Sequence, residues 1–329
     1  MAREGERRRC GGRAAVAASG KGQACMDSGS TVIDEGVIDR AINGDKEAFS
    51  VIVRGTGARV LLVAERILRN PEDGISAVHS LFVIAFSSLK KLKSKGFLET
   101  WLLQILVGIC GERLKEKGRK ARATAVPGHS EPEIHCGAGV ATAAVTSAES
   151  AFRRLSEIRA RSEHVRRAVD GLPFKERTAV MFRDWDGVSA IEVAEILRVS
   201  RDDVRKLLVG ARKILAATLE ASEGWCSYAQ DIRSARTMAA GENGALVKSK
   251  SHNKCGKHSE LLWLFVGGEL GQTEQVDLIA HLERCPACRE CLARASVVLE
   301  AVREAAPVED EPRLAPDTLW KEIEPLLAV

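Results

Sequence analysis

Between Pro71 and Leu89 the apolar residues Val78, Leu81, Phe82, Ala85, Phe86 and Leu89 fall three and four positions apart. On a helix that spacing lines up as one buried stripe. The segment opens with Asn70-Pro71-Glu72-Asp73: an asparagine to cap, a proline at the first helical position, and acids beside the positive end of the helix dipole. The same period returns in Trp101, Leu102, Ile105, Leu106 and Ile109, and again in Val204, Leu207, Leu208, Ala211, Leu215 and Leu219. Runs of alternating β-branched and aromatic residues are hard to find, and aromatics make up only 4% of the chain. The pattern dictates an all-α fold. With 329 residues, it must be divided among two or three modest domains.

Two stretches interrupt the helical pattern. Residues 123–154 begin with a run rich in Ala, Gly, Thr and Pro, and residues 223–253 contain Gly241-Glu242-Asn243-Gly244 and Lys248-Ser249-Lys250-Ser251. Both read as flexible linkers. They separate three helical blocks at 34–122, 155–222 and 254–305. Residues 1–33 read as a disordered extension in which Met26 competes with Met1 as the start. Residues 306–329 read as an acidic tail with a short helix over about 319–327.

The net charge of +4 announces no nucleic-acid partner by itself, so any such partner must be met by local patches. Lys90, Lys91, Lys93 and Lys95 form one basic loop, and the run from Arg113 to Lys120, with Lys115 and Lys117, forms a basic helix end. Nine cysteines, an odd number clustered towards the C-terminus, fit a reducing cytoplasm and a metal site better than disulfides. The apolar run Leu261–Val266 is far short of the ~20 residues that span a membrane. No glycine-rich phosphate loop or nucleophile–base pair suggests an enzyme.

The second block carries a short helix at Ser189–Leu197, a tight turn Arg198-Val199-Ser200, and a longer helix from Arg201 to about Leu219. This is the helix-turn-helix plan, whose second helix enters the major groove of DNA. Arg201, Arg205, Lys206 and Lys213 lie off the buried stripe, on the face free to meet phosphates. Ser200-Arg201-Asp202-Asp203 fits a capping box, although Asp202 and Asp203 oppose phosphate at the same helix end.

Leu172-Pro173-Phe174-Lys175-Glu176-Arg177, Gly187, Val193-Ala194-Glu195-Ile196-Leu197 and Ala211-Arg212-Lys213 resemble the fourth conserved region of extracytoplasmic-function sigma factors. Ala41-Ile42-Asn43-Gly44-Asp45-Lys46-Glu47-Ala48-Phe49, Asn70-Pro71-Glu72-Asp73 and Thr100-Trp101-Leu102 resemble their second region. The resemblance implies two helical domains on a flexible joiner. Region 2 would dock on core RNA polymerase through Val78, His79 and Phe82 and act at the −10 element, with Arg113 and Lys115 near the DNA. Region 4 would read the −35 element through Arg201, Arg205, Lys206 and Lys213. Ser76 and His79 stand where the family has an acid and a glutamine. The alternatives are a degenerate sigma-like DNA-binding regulator that does not initiate transcription, and an unrelated DNA-binding regulator.

His281-Leu282-Glu283-Arg284-Cys285-Pro286-Ala287-Cys288 is the sharpest chemical signal. His281 and Cys285 share a helical face, and Cys-x-x-Cys lets two thiolates converge on one ion. Zinc favours four such donors. Upstream, Cys255 and His258 are both candidates for the fourth. The pattern resembles the zinc-binding anti-sigma fold, with Gly268-Glu269-Leu270 at its turn, and that register implies Cys255. Four protein ligands would close the site around a single structural Zn2+. Cys291 is left over, either a half-buried thiol or a resolving partner for Cys285 or Cys288. The resemblance also implies an intramolecular contact, with the apolar face at Leu261–Val266 docking on the sigma domains.

Overall fold

The computed structural model describes residues 33–92, 94–124, 147–222, 225, 255–307 and 314–327. The expectations for residues 1–32, for the start at Met26, for Lys93 and for most of the two linkers lie outside these residues. Among the described residues every regular element is helical, and none is a strand.

The first block folds as α1 (Glu35–Ile42), α2 (Lys46–Leu68), α3 (Pro71–Ser88) and α4 (Leu98–Thr124). Local chemistry sets its boundaries. Asp34, Asp45 and Asn70 each turn a side-chain oxygen onto the free backbone N–H groups of the following helix. Gly44, at φ 93°, supplies the left-handed turn between α1 and α2. Phe49 packs edge-on against Phe82 and Phe86 at centroid distances of 6.2 and 5.0 Å, pinning α2 to α3.

The second block is α5 (Ser147–Asp170), α6 (Phe174–Val180), a π-helical turn at Met181–Trp185, α7 (Ala190–Leu197) and α8 (Arg201–Glu220). Helix α5 begins inside the stretch expected to be a linker. Pro173 is the cap before α6, and the single helix expected beyond it relaxes into the π turn. A reciprocal capping box forms at Ser189 and Glu192, ahead of α7. At Ser200 only half of the expected box is present: its Oγ accepts from the Asp203 N–H and donates to the Asp203 carboxylate. Between α7 and α8, Arg198 takes the left-handed conformation at φ 53°, which tightens the turn.

The third block is α9 (Gly256–Gly267), α10 (Gln272–Arg284) and α11 (Pro286–Glu304), followed by α12 (Pro316–Ile323) and a 3₁₀ turn at Glu324–Leu327. Pro316 at the first turn starts α12 three residues earlier than expected. Leu319, Trp320, Ile323 and Leu327 are buried, and α12 lies on α2 and α3. Gly57 makes room there, since a Cβ at that position would meet the Leu319 side chain. Most of the buried apolar residues of α1–α8, α11 and α12 join in one continuous core, and a smaller cluster surrounds the cysteines.

Candidate functional site

Helix α9 begins directly after Cys255. His281 lies in the last turn of α10, Cys285 ends that helix and caps α11, and Pro286 starts α11 so that Cys288 turns back in its first turn. The donor atoms of Cys255, His281, Cys285 and Cys288 all lie within 4.8 Å of one another. Cys255 Sγ is 3.9 Å from Cys285 Sγ, and His281 Nε2 is 3.2 Å from Cys288 Sγ. A tetrahedron built on Zn–S and Zn–N bonds has S–S edges of about 3.8 Å and N–S edges of about 3.5 Å. The four residues therefore fit zinc.

The thiols differ in their surroundings. The Cys288 backbone N–H lowers the Cys285 pKa, while burial pushes Cys288 up to about 12. His258 is outside the four-donor group: its ring stacks on His281 at 3.8 Å, with 5° between the planes. Cys291 packs among the residues around the cluster, and burial raises its thiol.

The proposed DNA-reading residues meet varied surroundings. Arg201 is exposed at the start of α8. Arg205 donates to both carboxylate oxygens of Glu274 on α10, at 2.8 and 2.7 Å. Lys213 is 3.3 Å from Glu260 on α9, and Lys206 pairs with its neighbour Asp203. Lys115 is exposed at the end of α4. Arg113 departs from its expected role. Its guanidinium bonds to the carbonyls of Asp73 and Ser76 and to the hydroxyls of Ser76 and Ser80, so it braces α4 against α3.

Two polymerase-docking expectations need correction as well. Val78 and Phe82 are 0% exposed and serve as core residues between α2, α3 and α4. Of the three only His79 is partly exposed, and its covered Nε2 lies 3.0 Å from Glu322 of α12. The apolar stretch Leu261–Val266 is divided, with Leu262 and Leu264 buried in the small cluster beside Val209 of α8, and Trp263 bridging the two clusters.

The residues that sequence reasoning left without a role form a buried ion network. Arg212 of α8 is fully buried and donates to both oxygens of Asp184, at 3.2 and 2.7 Å. It also bonds both oxygens of Glu269 and the Trp263 carbonyl. Arg183 bonds Glu269 and the Gly267 carbonyl. Two arginines and two acids balance, which is what lets charge lie in an apolar interior. Gly267 is required here, because any Cβ would collide with Glu269 and Arg212. One sequence signal pointed to Arg212: it lies four residues beyond Leu208, on the apolar stripe of α8, where a charge needs a partner.

A family profile described as "Sigma-70, region 4" matches residues 162–215, and one described as "Putative zinc-finger" matches residues 255–289. The chain is 25% identical over 187 residues to the RNA polymerase sigma-H factor of Pseudomonas aeruginosa, covering 57% of this chain and 94% of that protein. It is 24% identical over 183 residues to the ECF RNA polymerase sigma-E factor of Haemophilus influenzae (55% and 93% covered). Its likeness to the sigma-E factor of Escherichia coli is 25% over 182 residues (55% and 92% covered). Over these spans the chain is similar to extracytoplasmic-function sigma factors, and residues 255–289 are similar to a zinc finger. The likeness runs through nearly the whole length of these sigma factors, which does not favour a degenerate sigma-like regulator that fails to support initiation. No described helix is long and apolar enough to cross a membrane.

Proposed function

We propose that this chain directs core RNA polymerase to promoters in the cytoplasm, with α1–α4 acting at the −10 element and α8 reading the −35 element. The observation that carries the reading is the capped helix-turn-helix at Ser189–Glu220, within a likeness spanning almost all of several sigma factors. No bond is made or broken by the chain. Arg201, Arg205, Lys206 and Lys213 would carry the DNA contacts, with Lys115 near the upstream helix.

Cys255, His281, Cys285 and Cys288 would hold one structural zinc, which fixes α9, α10 and α11 around a small core. The zinc module would restrain the sigma domains in cis. Its Glu274 and Glu260 face Arg205 and Lys213, two groups that promoter phosphates also need. Helix α12 covers the α2–α3 surface beside His79. Release of the module would free both surfaces, and the short tether keeps the module's effective concentration high.

Run-off transcription with purified core polymerase and genomic promoter fragments tests the reading. Specific transcripts that weaken as salt rises support it. Absence of transcripts from the full chain and from Glu274→Gln and Trp320→Ala variants alike would contradict it.

A further inference from the structure

Apart from the zinc module, α1–α4 and α5–α8 hold one another directly. Arg177, on α6 of the helix-turn-helix block, is 7% exposed. Its guanidinium donates to the Ile67 carbonyl at 3.1 Å, in the last turn of α2, and to the Asp170 carbonyl at 3.3 Å. Arg69, left-handed just after α2, pairs with the Asp170 carboxylate and also bonds its backbone carbonyl. Arg66, one helical turn earlier, meets Asp186 at 2.8 Å, and both side chains are largely buried. The Ile67 carbonyl at the end of α2 is thus capped by Arg177 of the other domain, whose positive charge also suits the negative end of the helix dipole.

Packing agrees with these polar contacts. Helix α7, the first of the helix-turn-helix, lies on α4. Gly111 of α4 approaches the Phe174 ring so closely that a Cβ there would sit 3.1 Å from it. The π turn places Asp186 at its end, where Asp186 faces Arg66. A π turn carries one extra residue in the helix, and such turns re-aim side chains.

We infer that these contacts form a latch between the two sigma domains that closes the protein independently of the zinc module, with Arg66–Asp186 and Arg177 as its pins. The inference rests on the sigma reading for its consequence: with α7 held on α4, the two DNA-reading domains cannot separate along a promoter. The module then acts on a protein that already has its own closed state, and full activation requires both to open.

The test uses the full, zinc-loaded chain and small-angle scattering. Glu269→Gln, Glu274→Gln and Trp320→Ala together loosen the module. If the latch exists, this triple variant stays compact, and adding Asp186→Arg raises its radius of gyration by several ångströms. Adding Arg66→Asp to that variant restores the pair in reverse and closes the protein again. Gly111→Leu, which wedges the interface from α4 without touching the ion pair, is a second opener with unchanged helicity. A triple variant that is already fully expanded, or one that stays compact with both Asp186→Arg and Gly111→Leu, overturns the inference. Scattering needs no polymerase, so this result stands apart from the transcription result that decides the sigma reading.

Discussion

The Arg212 guanidinium meets the Asp184 carboxylate edge to edge, bonded through Nε and one terminal nitrogen, with both side chains buried. Glu269 from the zinc module completes the arrangement from the other side. Two blocks with different family matches thus share one buried charge network. Truncating one partner of such a network leaves an uncompensated charge, which costs about 3–5 kcal/mol. Arg212→Ala should lower stability to urea by that order. Glu269→Gln should cost less, because Asp184 still satisfies Arg212. Equal losses from the two would show that Asp184 is not the principal partner.

Metal removal should act locally. Structural zinc sites of this kind supply roughly 10–16 kcal/mol of apparent folding free energy. Chelation, or Cys285→Ser, should unfold α9, α10 and the start of α11 and open residues 255–292 to protease, while α1–α4 and the rest of α11 keep their helicity. The metal-to-protein ratio measured on the native chain should be one.

Glu274→Gln should tighten promoter binding. A charge-assisted hydrogen-bonded pair contributes about 1.5–3 kcal/mol, so releasing Arg205 gives a gain of about tenfold or more at low salt. Arg205→Ala should abolish that gain. Fluorescence anisotropy with a promoter duplex at two salt concentrations measures both.

Trp320→Ala should loosen α12 from α2 and α3 and strengthen capture of core polymerase. Loss of a buried tryptophan costs about 3–5 kcal/mol when its site cannot collapse. Here the cost falls on the tail, because Leu319 and Ile323 leave with it. Co-sedimentation with core enzyme should show the gain. A loss of cooperative unfolding in α1–α4 would instead mean that these helices cannot hold their core without the tail.

Cys110 gives a pH signature. Burial pushes its thiol from an ordinary value near 9.0 up to about 12. The folded state holds the neutral thiol, so this contribution is complete below about pH 9 and is lost as pH rises towards 12. Cys110→Ala should flatten that part of the stability–pH curve. Alkylation of Cys110 at pH 8 should require unfolding.

Much of this was legible in the residues. Caps at Asn70 and Ser200, and the stripe from Val78 to Leu89, depend on neighbours within a turn or two, so local sequence encodes them. The same holds for His281, Cys285 and Cys288, whose spacing alone places them together, while Cys255 needed the family register. The stripe had already put Val78 and Phe82 on a buried face; family analogy gave them a surface role that their own periodicity opposed. Arg205–Glu274, Arg66–Asp186 and Arg212–Glu269 were not legible, because partners 57 to 120 residues apart leave no local trace. The π turn was hidden too, since its extra residue is set by what Arg183, Asp184 and Asp186 reach rather than by helix propensity.

The central claim is that two helical domains of this chain engage one promoter together with polymerase. Hydroxyl-radical footprinting of the complex formed by core polymerase, a genomic promoter fragment and the Glu274→Gln, Trp320→Ala chain tests it most directly. Protection at both the −35 and −10 elements, lost when core enzyme is omitted, is the expected result. Protection confined to one half-site, unchanged by the presence of polymerase, would contradict it.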